Sequence, residues 1–335
     1  MATVGNLAVT LNDWRLRTSP DGTIDYIVET LAQSNPILQH MLWMEGNLPT
    51  GNQTTQRTSI PTPTLRRINR GADNVKSTTR QITDTCSMLE ARSEIDIELL
   101  ALQPDKEAFR RSEDSAIMEG FAQTMAKYTI YGDSDSNPDE FNGLAVRYNS
   151  LTGSKGDAGY QVISAGTGGT NTNTSAWLVG WGERTVAGIY PKNTQAGLKM
   201  RDLGEQTVED TDGKKFQAVS TLFNWKAGLA VRDLRQIASV RNIDVTTLKG
   251  MTSTNKVAMI ENFIYAKNRV RNLDAGKFQW YLSDSMYTFL ETYLIDKNNV
   301  HVTRQELMGK PPQIYLSGIP VFKLDAISET EAKLV

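Results

Sequence analysis

Two periods of apolar residues alternate along this chain, and each predicts its own element. Ile24, Ile27, Val28 and Leu31 share one helical face, which stops at Asn35-Pro36 because the residue before a proline is pushed out of the helical region. From 48 to 80 the stripe is gone. "LPTGNQTTQRTSIPTPTLRRINRGADNVKSTTR" is rich in Thr, Pro, Gly and Arg and predicts an extended excursion, a long hairpin with strands near 56–67 and 74–83. From 83 to 101 polar and apolar positions alternate, with Ile95, Ile97 and Leu99 on one side and Glu94, Asp96 and Glu98 on the other, the pattern of a half-buried strand. The helical period then returns for its longest run. Phe109, Ile117, Phe121, Met125 and Tyr128 form one face, Pro104 and Asp105 suit a first turn, and Gly132 ends it. A helix over about 104–131 is roughly 40 Å long at 1.5 Å per residue.

Beyond it, "LTGSKGDAGYQVISAGTGGTNTNTSAW" reads as a Gly/Thr/Asn loop, and "WLVGWGERTVAGIYPK" as strand, turn and short strand. "KKFQAVSTLFNWKAGLAVRDLRQIASVRNIDV" begins with strand chemistry and passes into an amphipathic segment. A helix is predicted over 254–271, with Val257, Ile260, Ile264 and Ala266 as its inner face. "WYLSDSMYTFLETYLID" predicts a strand and then a helix capped by Ser283 or Asp284, and "PQIYLSGIPVFKLDAI" closes with a turn and a strand.

Length and composition narrow the class. The 335 residues fit two domains or one large elaborated unit, and an apolar fraction of 39% supports a core with long loops or burial against other subunits. Basic residues number 36 and acidic residues 38, which argues against a dedicated nucleic-acid binder. The charge is unevenly spread, however. Residues 57–80 hold six basic side chains (Arg57, Arg66, Arg67, Arg70, Lys76, Arg80) and one acid, Asp73, whereas 84–119 hold ten acids and four bases. Such a run is a solvated face, a linker, or a functional loop of the kind that long excursions in folded proteins often are. No apolar run approaches the ~18–20 residues of a membrane span, and no signal peptide is evident at the N-terminus, so the expectation is a protein made and used in a cytoplasm.

Candidate chemistry is sparse. "IYGDSDSNPDEFNGL", residues 130–144, alternates Asp133, Asp135, Asn137 and Asp139 like a calcium loop, but an EF-hand needs Gly at its sixth position and Glu at its twelfth, where this chain has Pro138 and Leu144. A polar exit turn from the long helix is the reading that fits. "AGTGGTNT" lacks the Gly-Lys-Ser/Thr of a phosphate loop. The single cysteine, Cys86, reads as a small buried hydrophobe, and His40 and His301 lie in no catalytic or metal motif. No G-x-S-x-G elbow, HExxH or carboxylate pair appears, so no catalytic residue, cofactor or metal is expected.

Four phrases in sequence carry a family resemblance: "YTIYGDSDSNPDEFNGL", "WGERTVAGIYPKNTQAGLKMRDLGE", "FNWKAGLAVRDLRQIASVRNID" and "GIPVFKLDAISETEA", covering most of 115–335. Together they resemble tailed-phage major capsid proteins of the Hong Kong 97-like fold, in particular those of short-tailed phages such as epsilon 15. The resemblance implies an α+β fold with an N-terminal arm (1–47), an extended E-loop (48–82), a peripheral domain (83–145) with a long spine helix, and an axial domain (146–335). The strand-rich block at 215–245 comes earlier than in the prototype, which raises the expectation of a permuted strand order with this block lending strands to the peripheral domain.

The implied function is self-assembly into hexamers and pentamers of an icosahedral head, in the virion, enclosing double-stranded DNA without sequence-specific binding and without a membrane. The implied partners are further copies of the chain, a scaffolding protein, a portal and a decoration protein. In the family the E-loop lies over a neighbour's peripheral domain. Arg66, Arg67 and Arg70 are therefore expected to face acids at the start of the neighbour's spine helix, with Glu107 and Glu113 as candidates. An encapsulin-type cargo shell and a phage-associated enzyme with an unrecognised site stay open as alternatives.

Overall fold

A computed structural model describes residues 33, 35–102, 104–166, 168–209, 213–295, 302–305 and 312–335. The predicted helical face at Ile24–Leu31 and the position of His301 lie outside the described residues. The described chain opens with helix α1 (Ile37–His40) and strand β1 (Trp43–Glu45). Strands β2 (Gly51–Ser59) and β3 (Thr78–Asp96) then pair antiparallel from Gly51↔Thr85 to Ser59↔Thr78.

The hairpin exists, but its strands are displaced from the predicted 56–67 and 74–83: residues 60–77 form no strand. Pro61 and Pro63 explain this, since neither can donate to a ladder. The predicted strand to 101 is also cut short. β3 ends at Asp96, whose carboxylate accepts from the Glu98 N–H at 2.9 Å and caps helix α2 (Ile97–Ala101). The local side-chain cap outcompetes the two-residue alternation, while Ile95 and Leu99 are buried all the same.

Helix α3 (Lys106–Tyr131) follows almost as predicted. The Asp105 carboxylate accepts from the Ala108 N–H at 2.9 Å, and Gly132 closes the other end. Phe109, Phe121, Met125 and Ile130 are buried, and the Phe121 ring lies 6.3 Å from that of Phe223.

After helix α4 (Leu144–Arg147) come strands β4 (Val162–Ser164), β5 (Asn173–Trp181), β6 (Val186–Tyr190), β7 (Leu198–Glu209), β8 (Lys215–Val231) and β9 (Ile237–Asp244). The segment expected to turn amphipathic is thus strand throughout, apart from a single 3-10 turn at Leu234–Gln236. Helices α5 (Val245–Leu248) and α6 (Ser253–Arg269), strand β10 (Lys277–Leu282), helix α7 (Asp284–Tyr293) and strands β11 (Val302–Gln305), β12 (Gln313–Leu316) and β13 (Ile319–Lys323) complete the described elements. Ser283, one of the two predicted candidates, occupies the cap position of α7, but its hydroxyl makes no capping hydrogen bond.

The inner face of α6 keeps the predicted Ile260, Ala266 and Ile264 but has Met259 and Phe263 in place of Val257. Met259, Ile260, Phe263 and Ala266 are buried, whereas Val257 is 39% exposed. Phe263 fixes the rotation by meeting Trp280 edge-on at 5.1 Å.

The main path of hydrogen-bonded strands runs β11-β12-β13-β10-β5-β6-β8-β3-β2. β8 joins its two halves. Its later residues pair with β6, and its earlier ones lie between β3 and β7 in a three-stranded ribbon. One core lies where α6 and α7 cover β5, β9 and β10. A second gathers the end of α3, β5, β6, the later part of β8 and the C-terminal Leu324 and Ile327. A third, small one holds Ile95, Leu99, Leu100 and Phe109. Among the described residues no helix is long and apolar enough to cross a membrane.

Candidate assembly surfaces

Three of the five most exposed large apolar side chains of the described residues sit on one excursion. Ile60 is 82%, Leu65 105% and Ile68 89% exposed, on the stretch that links β2 to β3. Arg66, Arg67 and Arg70 stand among them, also in solvent. Besides the ladder at its base, the excursion has one internal backbone bond, Arg70 N–H to the Arg67 carbonyl at 3.2 Å. Burying one such Leu or Ile against a partner is worth about 1.5–3 kcal/mol.

The root of the same hairpin is fixed. Asp84, on β3 opposite Asn52, is 2% exposed and pairs with Arg147 at 2.7 Å. Arg147 also donates from Nη2 to the Leu229 carbonyl at 3.0 Å and from Nε to the Asn142 carbonyl at 3.2 Å. One guanidinium therefore ties the hairpin, β8 and the exit of α3 together. Gly51 starts β2 where a Cβ would stand 2.0 Å from the Asp84 carbonyl oxygen, so the strands close only around a glycine. Cys86, next to this root, is half-buried, and burial followed by the Asp84 charge pushes its thiol up to about 12. It is held as a neutral thiol, in keeping with a packing role.

Of the predicted contact residues, Glu107 is exposed on the first turn of α3 and Glu113 is half-buried two turns on. Within one chain, among the described residues, neither forms an ion pair with Arg66, Arg67 or Arg70, so the basic and acidic runs do not neutralise each other there. Arg110 instead pairs with Asp202 of β7 at 2.8 Å, which pins α3 to the three-stranded ribbon.

The acidic stretch after α3 is a self-bonded turn. Asp133 accepts from the Asp135 N–H at 3.0 Å and from the Ser136 hydroxyl at 2.6 Å. Glu140 accepts from the Asp133 N–H at 3.0 Å and from Asn137 Nδ2 at 3.1 Å. Asp135 and Asp139 are exposed and have no ion partner among the described residues. Among the described residues no three His, Cys, Asp or Glu side chains converge as a metal site would require.

A second buried ionic group escaped sequence reasoning. Glu331, 8% exposed, pairs with Arg241 at 3.3 Å and accepts from the Ser175 and Tyr131 hydroxyls. It stitches the C-terminal segment to the end of α3 and to β5. Burial, with the Glu331 charge beside it, pushes the Tyr131 hydroxyl far above its usual range. His40 donates or accepts with the Tyr281 hydroxyl at 3.1 Å and lies 4.3 Å from the Phe322 ring; burial lowers its pKa, and it serves packing.

Comparison with known proteins brings these surfaces into one frame. The family profile of the major capsid protein GP7 matches residues 19–335. A chain in the cryo-EM structure of bacteriophage epsilon15 is 31% identical, with a TM-score of 0.73 over 99% of each chain. A chain of the bacteriophage JBD30 capsid is 10% identical with a TM-score of 0.49 over 89% of this chain and 93% of that one. An encapsulin of Synechococcus elongatus is 13% identical with a TM-score of 0.42, covering 71% of this chain and 96% of its own. No curated protein matches at a significant level.

Proposed function

Since the chain belongs to the family of phage major capsid proteins GP7, we propose that its copies form hexamers and pentamers of an icosahedral head, with the basic excursion of each copy laid over its neighbour. The protein is a major capsid protein, a non-enzymatic subunit of the phage head shell, and the virion capsid is its location. Its fold is the mixed α+β Hong Kong 97-like capsid fold. Within that fold we take 1–47 as the arm, 48–82 as the E-loop, 83–145 as the peripheral domain with α3 as spine, and 146–335 as the axial domain. The permuted wiring has support in the pairing of β8 with β3 from Cys86↔Gly228 to Asp96↔Ala218, which brings Phe223 under Phe121 of α3.

The observation that carries the E-loop reading is the contrast in the excursion itself: apolar and cationic side chains held in water on a hairpin whose root is tied by a buried ion pair. A flexible linker would need no such root. Arg66, Arg67 and Arg70 then meet Glu107 and Glu113 of the neighbouring copy. Each exposed pair contributes only ~0–1 kcal/mol, but repetition at every contact adds up and charge matching sets register. Scaffolding protein, portal and decoration protein are the further partners of this reading. The near-balanced charge suits a wall that encloses DNA without gripping it.

Reversing both Arg66→Glu and Arg67→Glu should leave the circular dichroism of the subunit intact while electron microscopy shows shell formation impaired. Adding Glu107→Lys and Glu113→Lys should restore it. Normal shells from the doubly reversed protein at physiological salt would refute the contact.

A further inference from the structure

A cleft of about 680 Å³ opens between the E-loop ribbon and the body of the subunit, and its charge is one-sided. Arg57 and Arg80 line it from the ribbon, and Lys155, Arg184, Arg232 and Arg235 from the loops opposite. The ribbon is held over this floor by Gln56, whose Nε2 donates to the Arg232 carbonyl at 2.7 Å. The cleft is therefore a formed feature of the subunit.

The acids at the cleft are already engaged. Asp233 holds Arg235 at 2.9 Å, and Asp157 accepts from the Ser154 N–H at 3.0 Å within its own turn. Arg57, Lys155 and Arg184 have no carboxylate partner among the described residues; Arg80 reaches a neutral amide, Gln56 Oε1, at 3.5 Å, and Arg232 a carbonyl, that of Glu183, at 2.7 Å. The cleft continues into a second hollow that shares Lys155 and Arg235 and adds Arg271. Cations that line one cleft add their fields there, and a cleft of one sign focuses a positive potential outward.

We infer that this cleft receives the acidic turn 133–140 of a second copy of this chain, with Asp135 and Asp139 entering as its carboxylates. The inference rests on the shell reading above and names a different contact from the one at the E-loop tip. The chemistry matches on both sides. Guanidinium groups take carboxylates in two-pronged pairs, and the two free carboxylates stand outward on a turn stiffened by its own hydrogen bonds. Every copy carries one cleft and one turn, so the contact can repeat around a ring. Such a head-to-tail contact joins two different surfaces, as closed rings require. It also gives the acidic turn a role that its failure as a calcium loop leaves open.

The test compares purified full-length chains at 0.15 M NaCl. Arg57→Glu with Arg184→Glu, and separately Asp135→Lys with Asp139→Lys, should each lower the shell yield at least tenfold by sedimentation while the circular dichroism of the subunit is unchanged. Combining all four changes should recover at least half of the wild-type yield. Should the reversals prove insoluble, Arg57→Gln with Arg184→Gln should still lower the yield at least threefold. Wild-type yields from either pair, or no recovery on combination, would overturn the inference while leaving the shell reading intact; a wild-type chain that forms no shells even when supplied with its scaffolding protein would overturn the shell reading as well. A nucleic-acid role is the rival outcome: binding of a 20-base-pair DNA duplex that is lost in Arg57→Glu, Arg184→Glu, together with normal shells from Asp135→Lys, Asp139→Lys, would assign the cleft to phosphate and refute the carboxylate contact.

Discussion

The root and the tip of the β2–β3 hairpin are one continuous segment with opposite habits. At the root, Asp84 is buried, ion-paired and tied through Arg147 to two other parts of the fold. At the tip, Ile60, Leu65 and Ile68 stand in water beside three arginines. The root pairs its buried charge within the chain, and the tip keeps its groups for another molecule. A subunit that must fold alone and then join a shell needs both, because a loose root would let the tip sample many positions and raise the entropy lost on contact.

The comparison breaks most sharply at Arg147. Arg147→Ala leaves the Asp84 carboxylate buried without its counter-charge and should destabilise the unassembled subunit by about 3–5 kcal/mol, read from denaturant unfolding. An effect under about 1 kcal/mol would mean that water reaches Asp84 and that the root is not anchored as described. The tip should behave in the reverse way. Leu65→Asp with Ile68→Asp should change subunit stability by no more than about 0.5 kcal/mol, as surface substitutions do. Shell assembly should nevertheless be lost, because each side chain forgoes roughly 1.5–3 kcal/mol of burial at every contact. Shells of wild-type yield from this variant would remove the apolar tip from the assembly surface.

Some of this division was legible in the sequence. The excursion announced itself through prolines, arginines and the lack of any period, though its strands were placed too far toward the tip, and α3 through Asp105, its spaced aromatics and Gly132. The acidic stretch read correctly as a turn because Pro138 and Leu144 stand where a calcium loop needs Gly and Glu. The root was not legible. Asp84 and Arg147 are far apart in the chain, neither lies in a motif, and only the closing of β3 onto β8 brings them together. The same holds for Glu331 and Arg241. Errors of register had local causes. Asp96 capped a helix where alternation promised strand, and Phe263, a larger anchor than Val257, turned α6 by its contact with Trp280. Periodicity finds the elements, while long-range ion pairs and the largest side chain on a face decide where they stop and which way they turn.

Amide hydrogen exchange of the same chain before and after shell assembly tests the contrast most directly. Residues 60–77 should exchange rapidly in the free subunit, where they make almost no backbone bonds, and become protected by at least tenfold in shells. Thr83 to Cys86 at the root should be protected in both states. Rapid exchange of 60–77 in intact shells would contradict the account, since the tip would then have no neighbour to meet.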